Sequence, residues 1–264
     1  MDSQWNPATL PELERLTAPI ILRRSKSDIL PHLPPKRFAQ RVVPMEGKQY
    51  KAYASMKKEL VAELESGELL VAADPMQRVL RLLQLSCATP LSAEEGQVEL
   101  TTPSNKAEAL IEIAEERGGD PTVVFCASRR VSRLCGQVAA KAGHKVAYLD
   151  GHVPAGARAK VIEEFQAGET PLLLATYAVG GTGVTLTAAD LTVRLQRPWS
   201  LTLDAQAVDR THRVGAEHAS VMYLDVVSAG SIEPKVVQAL EEKATVLHSV
   251  VKDPDVLAEW LEAP

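Results

Sequence analysis

The 264-residue sequence holds only three cysteines, Cys87, Cys126 and Cys135, and no CxxC pair. All three lie in apolar contexts, which predicts buried, reduced thiols in an intracellular, cytoplasmic protein rather than a disulfide framework. His212 and His218 lack a plausible set of partners for a metal site. No apolar run approaches the ~20 residues that cross a bilayer. The opening MDSQWNPATLPELERL is acidic and broken by Pro7 and Pro11, unlike a secretory leader. No repeat at solenoid periods is visible. Two further absences bear on chemistry. There is no GxxxxGK[ST] loop, and no Asp-Glu dipeptide occurs. The chain therefore lacks the usual phosphate cradle and acidic metal box of a nucleotide hydrolase. The net charge of −5 excludes a uniformly basic coat but leaves room for a local basic groove.

What is present centres on Leu172 to Val214, LLLATYAVGGTGVTLTAADLTVRLQRPWSLTLDAQAVDRTHRV. The apolar run Leu172 to Ala175 predicts a strand ending at Thr176. The glycine-rich turn Gly180-Gly181-Thr182-Gly183 follows, and then a helical segment with Gln206, Arg210 and Arg213. On a helix, residues three and four apart share a face. Arg210 and Arg213 would then form a two-pronged cation with Gln206 one turn earlier, and guanidinium forks suit phosphate oxygens. Spacing alone fits a solvated helix face equally well, and the glycines alone fit a tight loop.

Around this centre, short apolar runs alternate with helical stripes, which predicts a parallel α/β sheet. Thr122 to Cys126, Val146 to Leu149, Leu172 to Ala175 and Ser220 to Val227 read as strands. Helices are expected after Ser104, with Ala107, Leu110, Ile111 and Ala114 on one face, and over Val131 to Ala142, ending at Gly143. Upstream, Phe38 to Val43 reads as a strand, Gly47 to Ser66 as a helix, and Pro75 opens another helix. Ser92 to Thr102 reads as a polar connector. Short terminal helices are expected at Thr9 to Leu16 and Asp253 to Leu261. From Arg15 to Lys58 the only acids are Asp28 and Glu46 among eleven basic residues. This stretch is either solvated surface or a contact for DNA phosphates or a partner lobe. The expected division is 1–103 as an N-terminal segment of the same lobe, with a basic strand and turn and a helical elaboration, 104–251 as the core lobe and 252–264 as a final helix.

LLLATYAVGGTGVTLTAAD resembles motif V, and DAQAVDRTHRVG motif VI, of superfamily 2 helicase-like motors. The QAxDRxHRxG core, with Trp199 between the motifs, is similar to SWI/SNF-type ATPases that translocate on duplex DNA. Further blocks extend the resemblance over Ile20 to Val251. LRRSK and LPPK resemble the start of the second motor lobe, VVFCAS resembles motif IV, and YLDGHVPAGARAKVIEEFQ matches at Asp150, Gly151, Arg158, Ile162 and Phe165. The tail matches at Ile232, Glu233 and Lys243. There are departures. Thr89 replaces a histidine, Ala216 a glutamine and Trp199-Ser200-Leu201 a WNP triplet, and the acid that precedes that tryptophan is replaced around Arg194 to Arg197.

The resemblance implies an α/β, RecA-like three-layer lobe with an N-terminal helical elaboration, belonging to a two-lobe, DNA-dependent ATPase. ATP and Mg2+ would be held mainly by a first lobe, so this chain alone is expected to be inactive. It would be either a piece of a longer protein or the partner of a separate first lobe. By the resemblance, Arg210 and Arg213 are arginine fingers and Gln206 registers motif VI at the cleft. Gly181, Gly183 and Asp209 face nucleotide. Lys106, Ser128, Arg129, Arg130, Thr176, Gly180 and Thr182 contact the backbone of double-stranded DNA. Such a protein would be cytoplasmic, associated with the nucleoid in a bacterium, or nuclear in a eukaryote, and away from membranes. Two alternatives are the lobe of a strand-separating helicase, which the LRRSK and LPPK blocks disfavour, and an inert DNA- or protein-binding module. A dinucleotide-binding fold is a further alternative that the sequence disfavours, because GGTGVTL lacks the third glycine of GxGxxG and follows the wrong strand.

Overall fold

The computed structural model describes residues 30, 33–65, 75–94, 97–180 and 183–241. The chain divides into two units, Met1–Leu33 and Pro34–Pro264, and every element below belongs to the second. The expected terminal helices and the LRRSK block lie outside the described residues.

Strands β1 (Lys36–Val43), β4 (Thr122–Cys126), β5 (Val146–Leu149), β6 (Leu172–Thr176), β7 (Leu191–Gln196) and β8 (Val221–Ser228) form one sheet in the order β1-β8-β7-β4-β6-β5. Each pairing is parallel. The central strands are buried along their whole length, which explains their unbroken apolar character. Alternation still sorts their two faces. Val124, Cys126, Leu172, Leu174, Val193 and Leu195 pack with Leu110, Ile113, Val131 and Cys135 from α3 (Asn105–Arg117) and α4 (Arg129–Lys141). Val123, Phe125, Leu173 and Ala175 instead meet Phe165 of α5 (Ala155–Gln166) and Ala207 of α7 (Leu201–Thr211). The lobe is thus a three-layer sandwich around the parallel sheet that the alternation predicts, with the RecA-like form that the resemblance implies. Between β6 and β7 lies one helical turn, α6 (Tyr177–Gly180), and after β8 comes α8 (Glu233–Glu241).

Local signals hold at several boundaries. Ser104 caps α3, its hydroxyl accepting from the Ala107 amide at 3.1 Å. Gly143 takes φ +98°, a conformation an L side chain rarely adopts, and lets the chain turn away from α4. Ile111, expected on the buried face of α3, is only half-buried, while Ala109 and Ile113 are inside.

The N-terminal part contributes to the core sheet, and one expectation about it, the polar connector, needs correction. The boundary at 103/104 does not separate β1 from the core sheet. Lys36↔Val221 through Val43↔Ser228 is one continuous parallel pairing, and β1 is an edge strand of that sheet. The supposed connector is an antiparallel hairpin, β2 (Thr89–Glu94) with β3 (Gln97–Thr101). The elaboration itself is helical as expected, with α1 (Gly47–Glu65) and α2 (Pro75–Leu85). Tyr53, Leu60, Val79, Leu82 and Leu83 bury against Ile232 and Val236, with Trp199 packed at the margin. A buried polar seam joins it to the lobe. Gln49 Nε2 donates to Asn105 Oδ1 at 2.8 Å, Asn105 Nδ2 to Ser228 Oγ at 2.8 Å, and Ser228 Oγ to the Ser86 carbonyl at 2.7 Å. Buried polar groups satisfied in this way fix one docking geometry.

Candidate site at the strand ends and the arginine helix

In open parallel sheets, sites collect at the carboxyl ends of the strands. Cys126 and Thr176 are register partners at the ends of β4 and β6, so Ser128, Arg129 and Thr176 fall on neighbouring strand ends. The Ser128 amide is fixed by Gln196 Oε1 at 2.8 Å, tying this edge to β7 as well. Arg129 is exposed and Arg130 half-buried. Thr176 is nearly buried, so it offers little more than its hydroxyl and backbone to a ligand.

The glycine turn does not follow β6 directly, because α6 intervenes and ends at Gly180. Gly181 and Thr182 lie outside the described residues. Gly183 takes φ +68°, the left-handed region that suits glycine. Beyond it, the Leu186 amide donates to the Arg210 carbonyl at 3.0 Å, and Arg213 Nη1 approaches the Val184 carbonyl at 3.5 Å. The stretch after the glycines is therefore fastened to the end of α7.

Gln206 and Arg210 stand one turn apart on α7, Gln206 exposed and Arg210 half-buried. Arg213 is not on that helix. The helix stops at Thr211, and His212 takes φ −93°, ψ 81°, so Arg213 projects from the following turn. The Arg210 backbone and the Arg213 guanidinium are both tied to the stretch Val184–Leu186, so this joint rather than helical spacing sets the place of Arg213. His212 Nε2 meets the Pro34 carbonyl at 2.8 Å, and His218 Nε2 the Thr187 carbonyl at 3.0 Å. Asp209 is half-buried and lines a cleft of about 360 Å³ with Lys36, Phe38, Arg194 and Arg197.

Lys106 is withdrawn from the proposed DNA surface. Its side chain is fully buried, paired with Glu233 at 2.7 Å and hydrogen-bonded to the Val226 carbonyl. It pins α8 to the sheet and cannot reach a phosphate.

The sequence did not disclose the cluster beneath α7. Arg194 Nη2 meets Asp225 Oδ2 at 2.7 Å, and its Nη1 meets Asp204 Oδ2 at 3.2 Å. Arg197 spans the same two carboxylates at 3.2 Å each. Burial pushes the Asp204 carboxyl above its ordinary range despite both arginines, and the like charge of Asp225 adds to the rise. Burial also opposes the charge on Arg197, but two carboxylates outweigh it and raise its pKa. The one sequence signal was the basic residues standing where the resembling family carries an acid. Farther along α7, Thr211 Oγ1 lies 3.0 Å from both Thr192 Oγ1 and the Tyr223 hydroxyl, which donates to the Val208 carbonyl at 3.0 Å. Burial pushes the Tyr223 phenol up to about 12.

A six-stranded parallel sheet between two helical layers, with the arginine end of α7 anchored by Thr211 at the amino ends of β7 and β8, has the architecture of a RecA-like lobe. Residues 105–215 match the helicase conserved C-terminal domain, and residues 4–90 match the SNF2-related domain. These two matches make the chain similar, segment by segment, to the C-terminal lobe of SNF2-type helicases. The Bacillus subtilis (strain 168) protein YwqA, named for an ATP-dependent helicase/translocase, is 28% identical over 255 residues, 94% of this chain and 28% of YwqA. The chain spans about a quarter of the length of the curated relatives it matches. By fold it is similar to the C-terminal part of the Fun30 ATPase domain, with TM-score 0.69, 19% identity, and 87% of this chain and 97% of that one covered. It is also similar to the Sulfolobus solfataricus SWI2/SNF2 ATPase core in complex with dsDNA, with TM-score 0.66, 22% identity, and 94% and 53% covered.

Proposed function

We propose that this chain is the second motor lobe of an ATP-dependent double-stranded DNA translocase. In this reading it supplies arginines to ATP held on a first RecA-like lobe and contacts the DNA backbone. The observation that carries the reading is the joint between the stretch after the glycines and α7, in which Leu186 binds the Arg210 carbonyl and Arg213 reaches the Val184 carbonyl. Any movement of the DNA-facing turn is then felt at the arginines. The relatives named as ATP-dependent helicases and the duplex-bound fold neighbour point the same way.

The donor set fits half of a nucleotide site. Arg210 and Arg213 can place guanidinium forks on phosphate oxygens. In this reading Mg2+ and most of the ATP are held by the first lobe. On closure, Arg210 and Arg213 donate to the oxygens on which negative charge develops as the γ-phosphoryl group departs, and Gln206 registers α7 at the cleft. Asp209, Gly181 and Gly183 border the nucleotide. Ser128, Arg129, Arg130, Thr176, Gly180 and Thr182 meet phosphates of one strand. Such contacts position the motor without reading sequence.

The test is DNA-stimulated ATP hydrolysis by this chain joined to, or mixed with, its first lobe. Arg213→Ala is expected to lower kcat by roughly 10³-fold or more, with DNA binding retained. Equal rates in wild type and variant would remove the arginine-finger role and favour an inert binding module.

A further inference from the structure

The cluster of Arg194, Arg197, Asp204 and Asp225 is an expensive way to hold a helix. Taking charges out of water opposes folding, and an apolar contact of the same volume often stabilises as much or more. The cluster is also imperfectly satisfied, since Arg194 Nε, Arg197 Nε and Asp204 Oδ1 are buried without hydrogen-bond partners among the described residues. Stability alone gives little reason for such an arrangement. What it offers is directionality. Each guanidinium binds carboxylates from two different elements, so α7 is fixed to β8 through the end of β7.

The location matters. Asp204 sits on α7 two residues before Gln206 and six before Arg210. Arg197 immediately follows Gln196, whose side chain holds the Ser128 amide and whose carbonyl accepts from Ala127 at 3.2 Å. Tyr177, which immediately follows Thr176, is fully buried and feels the charges of both Asp204 and Arg194. The cluster therefore lies between the strand ends that carry Ser128 and Thr176 and the helix that carries Gln206 and Arg210. At the other end of α7, the Thr211–Tyr223–Thr192 hydroxyls make a second, uncharged anchor. Ala207 adds apolar packing against Ala175 and Tyr177 beside Thr176, and the charged anchor supplies the directional link to the residues next to the strand-end candidates.

We propose that Arg194, Arg197, Asp204 and Asp225 are positioning residues, holding α7 so that Gln206 and Arg210 stand in register with the strand ends bearing Ser128 and Thr176. This rests on the motor-lobe reading above. A helix displaced by about 1 Å costs catalysis on the order of 10²-fold while leaving substrate affinity largely intact.

The experiment compares Asp204→Asn, Asp204→Glu and Arg210→Ala in the chain supplied with its first lobe. It measures kcat and KM for ATP with and without DNA, DNA affinity and the melting curve. Asp204→Asn keeps the shape and removes the charge. Its kcat at saturating DNA is expected to fall about 10- to 100-fold, with KM and DNA affinity within about twofold and with DNA stimulation reduced. Asp204→Glu is expected to recover part of the loss. A purely structural role would lower the melting temperature without moving kcat of the folded fraction. If folded Asp204→Asn turns over at the wild-type rate while Arg210→Ala does not, the positioning role is overturned and the motor reading stands. If Arg210→Ala is also silent, the motor reading itself fails and this inference falls with it. Should Asp204→Asn not fold, Arg197→Lys, which keeps the charge but loses the fork, is read by the same assay and the same criteria.

Discussion

Two pairs of arginines share one spacing and opposite fates. Arg194 and Arg197 are three residues apart, as are Arg210 and Arg213. The first pair is buried, with side-chain exposures of 4% and 9%, and is neutralised by Asp204 and Asp225. In the second, Arg213 is exposed on a turn, and its guanidinium reaches the Val184 carbonyl at 3.5 Å. Spacing sets which residues can act together. What surrounds them decides whether they act on the fold or on a ligand. An arginine fork sealed against two carboxylates has no capacity left for phosphate, whereas one held at the surface by a single long contact can be transferred to an anion at small cost.

The widest separation between the pairs should appear in stability. Asp225→Ala leaves two buried guanidiniums short of a carboxylate and is expected to cost about 3–5 kcal/mol. Arg213→Ala, at an exposed turn, is expected to stay within about 0.5 kcal/mol. Urea unfolding followed by circular dichroism reads both. Equal losses would mean that the Arg213 contact is structural, and the contrast between the pairs would collapse.

Lys106 sharpens the same contrast, since it was expected on the DNA surface beside Arg129. Lys106→Met leaves Glu233 buried without its cation and is expected to cost about 3 kcal/mol, near the low end because the Ser228 amide still donates to Glu233 at 2.7 Å. DNA affinity of the folded protein should not change. Arg129→Ala should behave in the opposite way, with stability unaltered and the slope of log affinity against log salt reduced by about 1.

Lys106 also shows where sequence reading stops. Its helix, cap and sheet neighbours were legible, because Ser104, the apolar stripe and the β4 run are local signals. Its burial depends on Glu233, 127 positions downstream, and no periodicity reports a partner at that distance. The same limit explains β1, a recognisable strand whose pairing partner β8 lies some 180 residues away. It also explains the hairpin at Thr89–Thr101, whose polar stretch from Ser92 onward reads as a connector. The candidate site was legible as motifs and in part as geometry. Gln206 and Arg210 do share a helix, but the break at His212 that throws Arg213 onto a turn is a backbone event, invisible to residue spacing. The cluster under α7 left only the trace of misplaced basic residues near Trp199.

A half-buried pair lies between the two extremes and responds to pH. Arg133 is about a third exposed, stacks over Tyr148 at 4.1 Å and donates to the fully buried Asp150 at 2.7 Å. Burial pushes the Asp150 carboxyl up, but the Arg133 hydrogen bond and the His152 amide at 2.9 Å together outweigh it, leaving its pKa below the ordinary value. A carboxyl lowered in the folded state adds stability that is complete above its unfolded pKa, about 3.9, and is lost as pH falls through the folded value. Asp150→Asn is therefore expected to cost about 1–2 kcal/mol at pH 7, the modest figure reflecting solvent screening of Arg133. Below about pH 4 that difference should shrink, as the wild type surrenders the same interaction by protonation. Paired melts of wild type and variant between pH 7 and pH 3 measure the convergence. A difference that stays constant across that range would show that Asp150 works through its backbone hydrogen bond and shape, leaving the Arg194 cluster as the one carboxylate–arginine assembly in this comparison whose charge holds the fold.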